Sequence, residues 1–389
     1  MKRKYNLLYG IEAAGGGSLK HLLYLLFHLD KALFDITVIL SDRRDKRVYA
    51  EIEKMKQIGI KVIVIPMRRS IHPYHDLVSF FKISRHLRRN RYDIVHAHSS
   101  KAGALFVLSA WLHRIPCVLF TPHCFYSQGQ NGLRKKCFVL IERMICKLAN
   151  HIVISNNEKE YAIRVKIAVP HKLISINNAI DFREYNTGRT DTSFRAELDI
   201  PVDALVVGSV GRLTRQKDWT TFIYAARATL RKFAKVVFLI VGDGDEMADI
   251  SRLIQRLDLN AAIRMPGYCR DISKVYSIMD IFVSTSRWEG LPYVLPEAML
   301  FKIPIVSTDL GYGQIIRDKE SGYLTSMGDH EAISGRILNL IENKTLRKSM
   351  GKKGYDIARE HLSFPKFILN HEQLYQDTIH QQQLQRKRG

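Results

Sequence analysis

A chain of 389 residues with 60 Lys or Arg against 38 Asp or Glu has a formal charge of +22, and apolar residues fill 46% of its positions. So apolar a composition can build a core, and 23 Gly with 11 Pro leaves regular structure uninterrupted, which excludes a disordered or collagen-like protein. Five cysteines (Cys117, Cys124, Cys137, Cys146, Cys269) are odd in number and form no Cys-x-x-Cys pair, so neither a disulfide framework nor a cysteine zinc site is expected, and the chain reads as reduced and cytosolic.

Lys2-Arg3-Lys4 opens the chain, but Asn6 and Glu12 interrupt the apolar residues behind it, so Met1 to Gly10 reads as entry into a first strand rather than a signal peptide. Buried strands are then expected at Ile36 to Leu40, Lys61 to Ile65, Ile94 to Ala97 and Cys117 to Phe120, with amphipathic helices between them. Apolar stretches such as Gly103 to Leu112 fall well short of the ~20 residues a membrane-spanning helix needs. The pattern resumes at Leu205 to Val210, Val236 to Val241, Ala262 to Met265, Ile281 to Ser284 and Ile303 to Val306. Asp181 to Pro201 is polar and aperiodic and marks the linker, and Gln381 to Arg388 forms a low-complexity tail. The length and the two sets of alternating elements predict α/β architecture with two doubly wound parallel sheets and a ligand site in the cleft between them. The expected division is residues 1–185, 186–370, and a C-terminal helix and tail at 371–389 that packs back on the first domain.

The charge is uneven. Up to Tyr185 there are 31 Lys or Arg against 14 Asp or Glu, so the first half holds most of the excess. Leu77 to Arg91 and Gly132 to Leu148 each combine apolar residues with a basic face, the pattern either of sheet-packing helices with solvated charges or of a surface that settles on anionic lipid. Nucleic acid is not expected as a partner, because no reading module and no exposed aromatic interleaving accompany the cations.

Four stretches can carry chemistry. Ala14-Gly15-Gly16-Gly17-Ser18 follows the first strand and opens a helix, where backbone amides favour a phosphate, although turn chemistry alone also explains a glycine run. His96 and His98 point to one face of a strand end, with Lys101 beyond; His123 is a formal third ligand for zinc, but without a carboxylate a metal is not expected. Arg212 and Lys217 follow the first strand of the second half, where a planar fork and a mobile point charge suit a diphosphate. Glu289 follows a strand, while Pro296 suits a first helical turn and sets Glu297 at a helix start, so both acids can face one ligand from different elements.

In this order the motifs resemble a retaining glycosyltransferase of the GT-B fold, family four, over essentially the whole chain. Glu289 and Glu297 match the E-x7-E signature, set within Glu-Gly-Leu-Pro and Pro-Glu-Ala-Met; the Gly-Arg-Leu stretch with Lys217, Val241-Gly242-Asp243-Gly244 and Asp280-Ile281-Phe282-Val283 match around it. His-x-His-Ser-Ser-Lys-Ala-Gly at His96 to Gly103 is similar to the branch that builds bacterial surface polysaccharide on a lipid carrier.

The resemblance implies two Rossmann-like domains, a nucleotide-sugar donor (UDP by family default) held mainly by the second and an acceptor held by the first. Arg212 and Lys217 would then bind the donor diphosphate, Glu297 the ribose hydroxyls, and Glu289 the transferred sugar, with amides from Gly290 and Leu291. Gly16 and Gly17 would approach the donor phosphates, and His98, with Lys101 and His123, would contact sugar or acceptor. No cofactor and no divalent metal are expected, Asp243-Gly244-Asp245 being a turn rather than a metal motif. The acceptor would be a polyprenyl-diphosphate-linked saccharide, placing the enzyme in the cytoplasm on the inner membrane face, from which high salt should release it. Two alternatives stand beside this: a nucleotide-sugar epimerase of the same architecture, and a noncatalytic basic protein that binds lipid or nucleic acid. Two segments depart from the family pattern. Asn178-Ala179-Ile180-Asp181 has Ala where Gly is usual at a position that tolerates positive φ, and Leu310-Gly311-Tyr312-Gly313-Gln314 lacks an acid.

Overall fold

The structure, a computed structural model, describes residues 4–188 and 191–388. Lys2 and Arg3 of the opening cluster and residues 189 and 190 of the expected linker lie outside the described residues. The polypeptide forms two compact units, one of Met1–Asn178 with Pro365–Gly389 and the other of Ala179–Phe364.

In the first unit, β1 (Tyr5–Ile11), β2 (Phe34–Leu40), β3 (Lys61–Val64), β4 (Ile94–His98), β5 (Cys117–Thr121), β6 (His151–Ile154) and β7 (Leu173–Ser175) form one parallel sheet ordered β3-β2-β1-β4-β5-β6-β7. β4 and β5 are buried throughout, as strands covered by helices on both faces must be. The sequence pattern located β2 to β5 to within a few residues. It missed β6 and β7, which are four and three residues long and too short to show a period. Helix Asn156–Arg164 starts with a capping box in which Ser155 and Glu158 satisfy each other's backbone amides. Helix Phe364–Arg388 runs into this unit from the far end of the chain: Tyr375 Oη lies 2.8 Å from Tyr9 Oη on β1 and 2.8 Å from His96 Nδ1 on β4.

In the second unit, β8 (Leu205–Val210), β9 (Val236–Val241), β10 (Ile263–Gly267), β11 (Ile281–Ser284), β12 (Ile305–Thr308) and β13 (Gly322–Thr325) form a parallel sheet ordered β10-β9-β8-β11-β12-β13. The aperiodic stretch read as a linker contains a short helix, Thr192–Glu197, capped by the Asp191 carboxylate and anchored by buried Phe194. In both sheets the strand order reverses beside the first strand of the unit, between β1 and β4 and between β8 and β11. Crevices beyond the carboxyl ends of such strand pairs are where open α/β sheets bind ligands. Gly16 and Gly17 lie in the segment that follows β1 and His98 is the last residue of β4, while the segments that follow β8 and β11 carry Arg212, Lys217 and Glu289.

Candidate active site

At the second switch point the two loops are stitched together. Arg287 meets Asp218 with two contacts of 3.0 Å, Gln216 Nε2 donates to the Trp288 carbonyl at 2.9 Å, and Thr285 Oγ1 donates to the Lys217 carbonyl at 2.8 Å. These bonds set Lys217 Nζ 2.8 Å from Glu289 Oε1, with both side chains largely shielded from water. Two residues that the sequence proposed from separate motifs therefore meet as one ion pair. Asp218 takes a left-handed backbone (φ 51°, ψ 54°) as it leads into helix Trp219–Leu230, which turns the chain back immediately after Lys217.

The glycine loop after β9 shapes this region from behind. A Cβ on Gly242 would fall 1.9 Å from the carbonyl oxygen of Gly211, and its φ of +142° favours glycine. Gly211 N–H donates to the Val241 carbonyl and Leu213 N–H to the Asp243 carbonyl, so the two loops run against each other as backbone. Asp243-Gly244-Asp245 is thus part of the support for the segment that carries Arg212. Arg212 is half-buried, and its carbonyl accepts from Trp219 Nε1 at 3.1 Å.

Glu297 lies in helix Val294–Leu300, is buried, and accepts from Tyr185 Oη and Tyr276 Oη, each at 2.8 Å. An ionised carboxylate accepts hydrogen bonds and donates none, which suits hydroxyl donors. Burial and the neighbouring Glu297 charge hold the Tyr276 hydroxyl well above its ordinary pKa, so it remains a donor. Gly290 and Leu291 are buried in the turn between Glu289 and that helix. Ala179 is absent from the positive-φ residues among those described, so its methyl needs no strained backbone. Gly311 does take positive φ (+86°), and Gln314, where the family acid would stand, is exposed.

In the first unit, helix Gly16–His28 begins on an exposed Gly16 with φ +58°, a conformation that favours glycine and leaves the first amides of the helix open. His98 is fully buried at the end of β4. Its Nδ1 lies 3.0 Å from His123 Nε2, while its Nε2 is buried without a hydrogen-bond partner. His96 is also buried, its ring 4.2 Å from that of His98 and its Nε2 2.8 Å from Thr121 Oγ1. His123 (φ 53°) and Cys124 (φ 89°) form a left-handed turn, which Glu158 holds by accepting the Cys124 amide at 2.7 Å. Lys101, proposed for the acceptor, is engaged locally: its Nζ lies 2.5 Å from Asp76 and 2.9 Å from the Ser70 carbonyl.

Sequence reasoning overlooked two further histidines. His21, one turn into the first helix, bonds Asn178 Oδ1 through Nδ1 at 2.8 Å and packs edge-on to His123, and His371 comes from the C-terminal helix. Burial pushes His21 down to about 4 and His371 down to about 3, and it holds His96, His98 and His123 well below the ordinary imidazole value. All five rings are therefore neutral at neutral pH. Among the described residues no group of three His, Cys, Asp or Glu is arranged to hold a metal ion.

Two family models cover most of the chain: Glycosyltransferase Family 4 matches residues 15–184, and Glycosyl transferases group 1 matches residues 190–357. The chain belongs to the family 4 glycosyltransferases of the GT-B fold. It is 28% identical over 80% of its length, and 81% of the other chain, to the UDP-Gal:alpha-D-GlcNAc-diphosphoundecaprenol alpha-1,3-galactosyltransferase of Escherichia coli. It is 25% identical to the capsular polysaccharide biosynthesis glycosyltransferase CapM of Staphylococcus aureus, over 84% of this chain and 85% of that one. Among solved structures, HepE of Anabaena in complex with UDP and glucose superposes with a TM-score of 0.80 at 19% identity, covering 96% of this chain and all of that one. That likeness speaks for the fold. The E. coli and S. aureus relatives are glycosyltransferases by name, and its family makes this chain a glycosyltransferase.

Proposed function

We propose that this glycosyltransferase transfers a sugar, with retention, from UDP to a polyprenyl-diphosphate-linked saccharide during assembly of a bacterial surface polysaccharide. The observation that carries the reading is the ion pair of Lys217 with Glu289 at a topological switch point, on a loop that also bears Arg212. Cleaving the bond from the anomeric carbon to phosphate leaves positive charge on the sugar and negative charge on the departing diphosphate. Arg212 and Lys217 would stabilise the latter, and fixed cations of this kind often supply the largest share of catalysis. They take the place a divalent metal fills elsewhere, so the proposed reaction uses none.

Glu289 is assigned to the transferred sugar and, when no donor is present, to holding Lys217 in place. A carboxylate paired to an ammonium at 2.8 Å is a poor nucleophile, which favours attack by the acceptor from the leaving-group face over double displacement through Glu289. Glu297 is assigned to the ribose hydroxyls, and Gly290 and Leu291 to the donor through their amides. From the first unit, the Gly16 and Gly17 amides are assigned to donor phosphate, and His98, through Nε2, to sugar or acceptor. The HepE complexes with UDP and with UDP-glucose support the choice of nucleotide, and the lipid diphosphate in the name of the E. coli relative supports the acceptor class. An acceptor on such a carrier places the enzyme in the cytoplasm, peripherally bound to the inner face of the cell membrane. No helix among the described residues is long and apolar enough to cross a bilayer.

The test pairs melting curves with turnover. UDP should raise the melting temperature more than GDP, because a ligand that binds only the folded state stabilises it. UDP should be released from a UDP-sugar panel only when a polyprenyl-diphosphate saccharide is added. Sugar isomerisation without acceptor would instead establish the epimerase, and no response to any nucleotide would establish a noncatalytic protein.

A further inference from the structure

The C-terminal helix Phe364–Arg388 delivers a tyrosine to the strands that carry the histidines. Tyr375 is fully buried, with its hydroxyl 2.8 Å from Tyr9 Oη on β1 and 2.8 Å from His96 Nδ1 on β4. His96 Nε2 lies 2.8 Å from Oγ1 of Thr121, the last residue of β5. Tyr9, Tyr375, His96 and Thr121 thus form one buried hydrogen-bonded chain across three strands and a helix.

The protons of this chain can be placed. Burial holds both phenols well above their ordinary pKa and His96 well below its own, so all three groups are neutral at neutral pH. A phenol is a stronger proton donor than a neutral imidazole N–H, and an imidazole nitrogen is a stronger acceptor than a phenol oxygen. Tyr375 therefore donates to His96 Nδ1 and accepts from Tyr9. His96 keeps its proton on Nε2, which donates to Thr121. Bonded at both nitrogens, the ring cannot turn without breaking two buried hydrogen bonds, and each buried group left unsatisfied costs about 1–3 kcal/mol.

The ring so fixed is a wall for His98. The centroids of the His96 and His98 rings are 4.2 Å apart, and the Tyr9 ring is 5.5 Å from His98. The same helix presses on another neighbour of His98: Phe367 and His371 stand edge-on to His21 at 5.1 Å and 5.6 Å, and the His21 ring is 5.5 Å from that of His98.

We infer that Tyr375 is a positioning residue for sugar transfer: its hydroxyl fixes the tautomer and orientation of His96, and His96 holds the His98 ring where it meets sugar or acceptor. The inference rests on the assignment of His98 in the proposed function and extends that site to a residue of the C-terminal helix. Phenylalanine at position 375 would fill the same space, so the hydroxyl can be removed with little change in packing.

The experiment is steady-state kinetics of the full chain with a UDP-sugar and a polyprenyl-diphosphate saccharide, beside nitrogen NMR of the histidine-labelled chain, with His96→Phe identifying the His96 signals. Tyr375→Phe should lower kcat at least about fivefold with little change in donor KM and with circular dichroism unchanged, as displacement of a reacting group does. Tyr9→Phe removes a hydroxyl of the same buried chain but leaves the Tyr375 to His96 bond, so it should lower the melting temperature about as much yet keep kcat within about twofold. Adding Tyr375→Phe to His96→Phe should lower kcat no further, because the first acts through the second. The ring nitrogens should show His96 protonated at Nε2 in wild type and a mixture of tautomers in Tyr375→Phe. A Tyr375→Phe enzyme with wild-type kcat, an equal loss in Tyr9→Phe, additive losses in the double variant, or a wild-type His96 protonated at Nδ1 would each overturn the inference. Transfer by wild type with an unaffected Tyr375→Phe defeats this inference alone, whereas a wild-type chain without transfer defeats the proposed function on which it rests.

Discussion

His98 Nδ1 and His123 Nε2 face each other at 3.0 Å, and only one of them can carry the proton between them while both rings are neutral. If His98 is to donate from Nε2 to a sugar or acceptor oxygen, its Nδ1 must accept, and His123 must be the donor. His123 is thereby a positioning residue that sets the tautomer of His98, as partners on the far nitrogen generally do. His123→Gln, whose amide nitrogen can donate from a similar place, should retain most of the turnover. His123→Phe should lower kcat by at least about tenfold with little change in donor KM, as loss of an oriented hydrogen-bonding group does. Steady-state kinetics on both variants checks this.

The buried imidazoles make the first unit sensitive to acid. His21 titrates near 4 and His371 near 3 in the folded chain against about 6.5 when unfolded, so below about pH 6.5 the unfolded state binds more protons and stability falls with pH. Each such histidine costs up to about 1.4 kcal/mol per pH unit between those limits. Urea melts at pH 7.5, 6 and 5 should show midpoints that drop progressively, and His371→Phe should flatten the drop.

Arg287 and Asp218 lock the loop that presents Lys217. The pair is partly exposed, so its contribution to stability is small, roughly 0.5–1 kcal/mol. Its geometric role is larger, because a bidentate fork cannot be replaced by an ammonium. Arg287→Lys should leave the melting temperature within a few degrees of wild type yet lower turnover about tenfold, as misplacement of a reacting group does. A melting curve alongside an initial-rate assay separates the two effects.

Gly242→Ala sets a methyl 1.9 Å from the Gly211 carbonyl oxygen, a backbone atom with no freedom to yield. The expected loss is at least about 2–4 kcal/mol of stability, from overpacking and backbone strain together. Gly16→Ala meets no neighbouring atom and should cost only about 1–2 kcal/mol for its left-handed backbone. Urea denaturation of the two variants side by side shows whether they rank this way.

Where the sequence was legible, physics made it so. Leu205–Val210, Val236–Val241 and Ile281–Ser284 are strands at the boundaries read from their runs of β-branched residues, because strands buried on both faces must be apolar throughout. His96 and His98 lie on one face, as a period of two requires. The helices Pro73–Arg89 and Gly132–Leu148 are visible in the sequence, but which of their apolar residues face inward is not: Leu77 and Phe81 are exposed, while Ile83 and Ser79 are buried. Contacts between residues distant in sequence left no local trace. Asp218 with Arg287, Glu297 with Tyr185, and His371 and Tyr375 beside β1 and β4 are separated by about 70 to 370 positions, and nothing near them in the sequence announces the partner.

The central claim is that Lys217, held by Glu289 and sharing a loop with Arg212, stabilises the departing diphosphate. Single-turnover transfer from a UDP-sugar by Lys217→Ala, with saturating donor and lipid-diphosphate acceptor, tests it most directly. The account predicts a rate lower by about 10²–10³, as when one preorganised charge-stabilising group is removed, with the fold intact by circular dichroism. A Lys217→Ala enzyme that transfers sugar at the wild-type rate would contradict it.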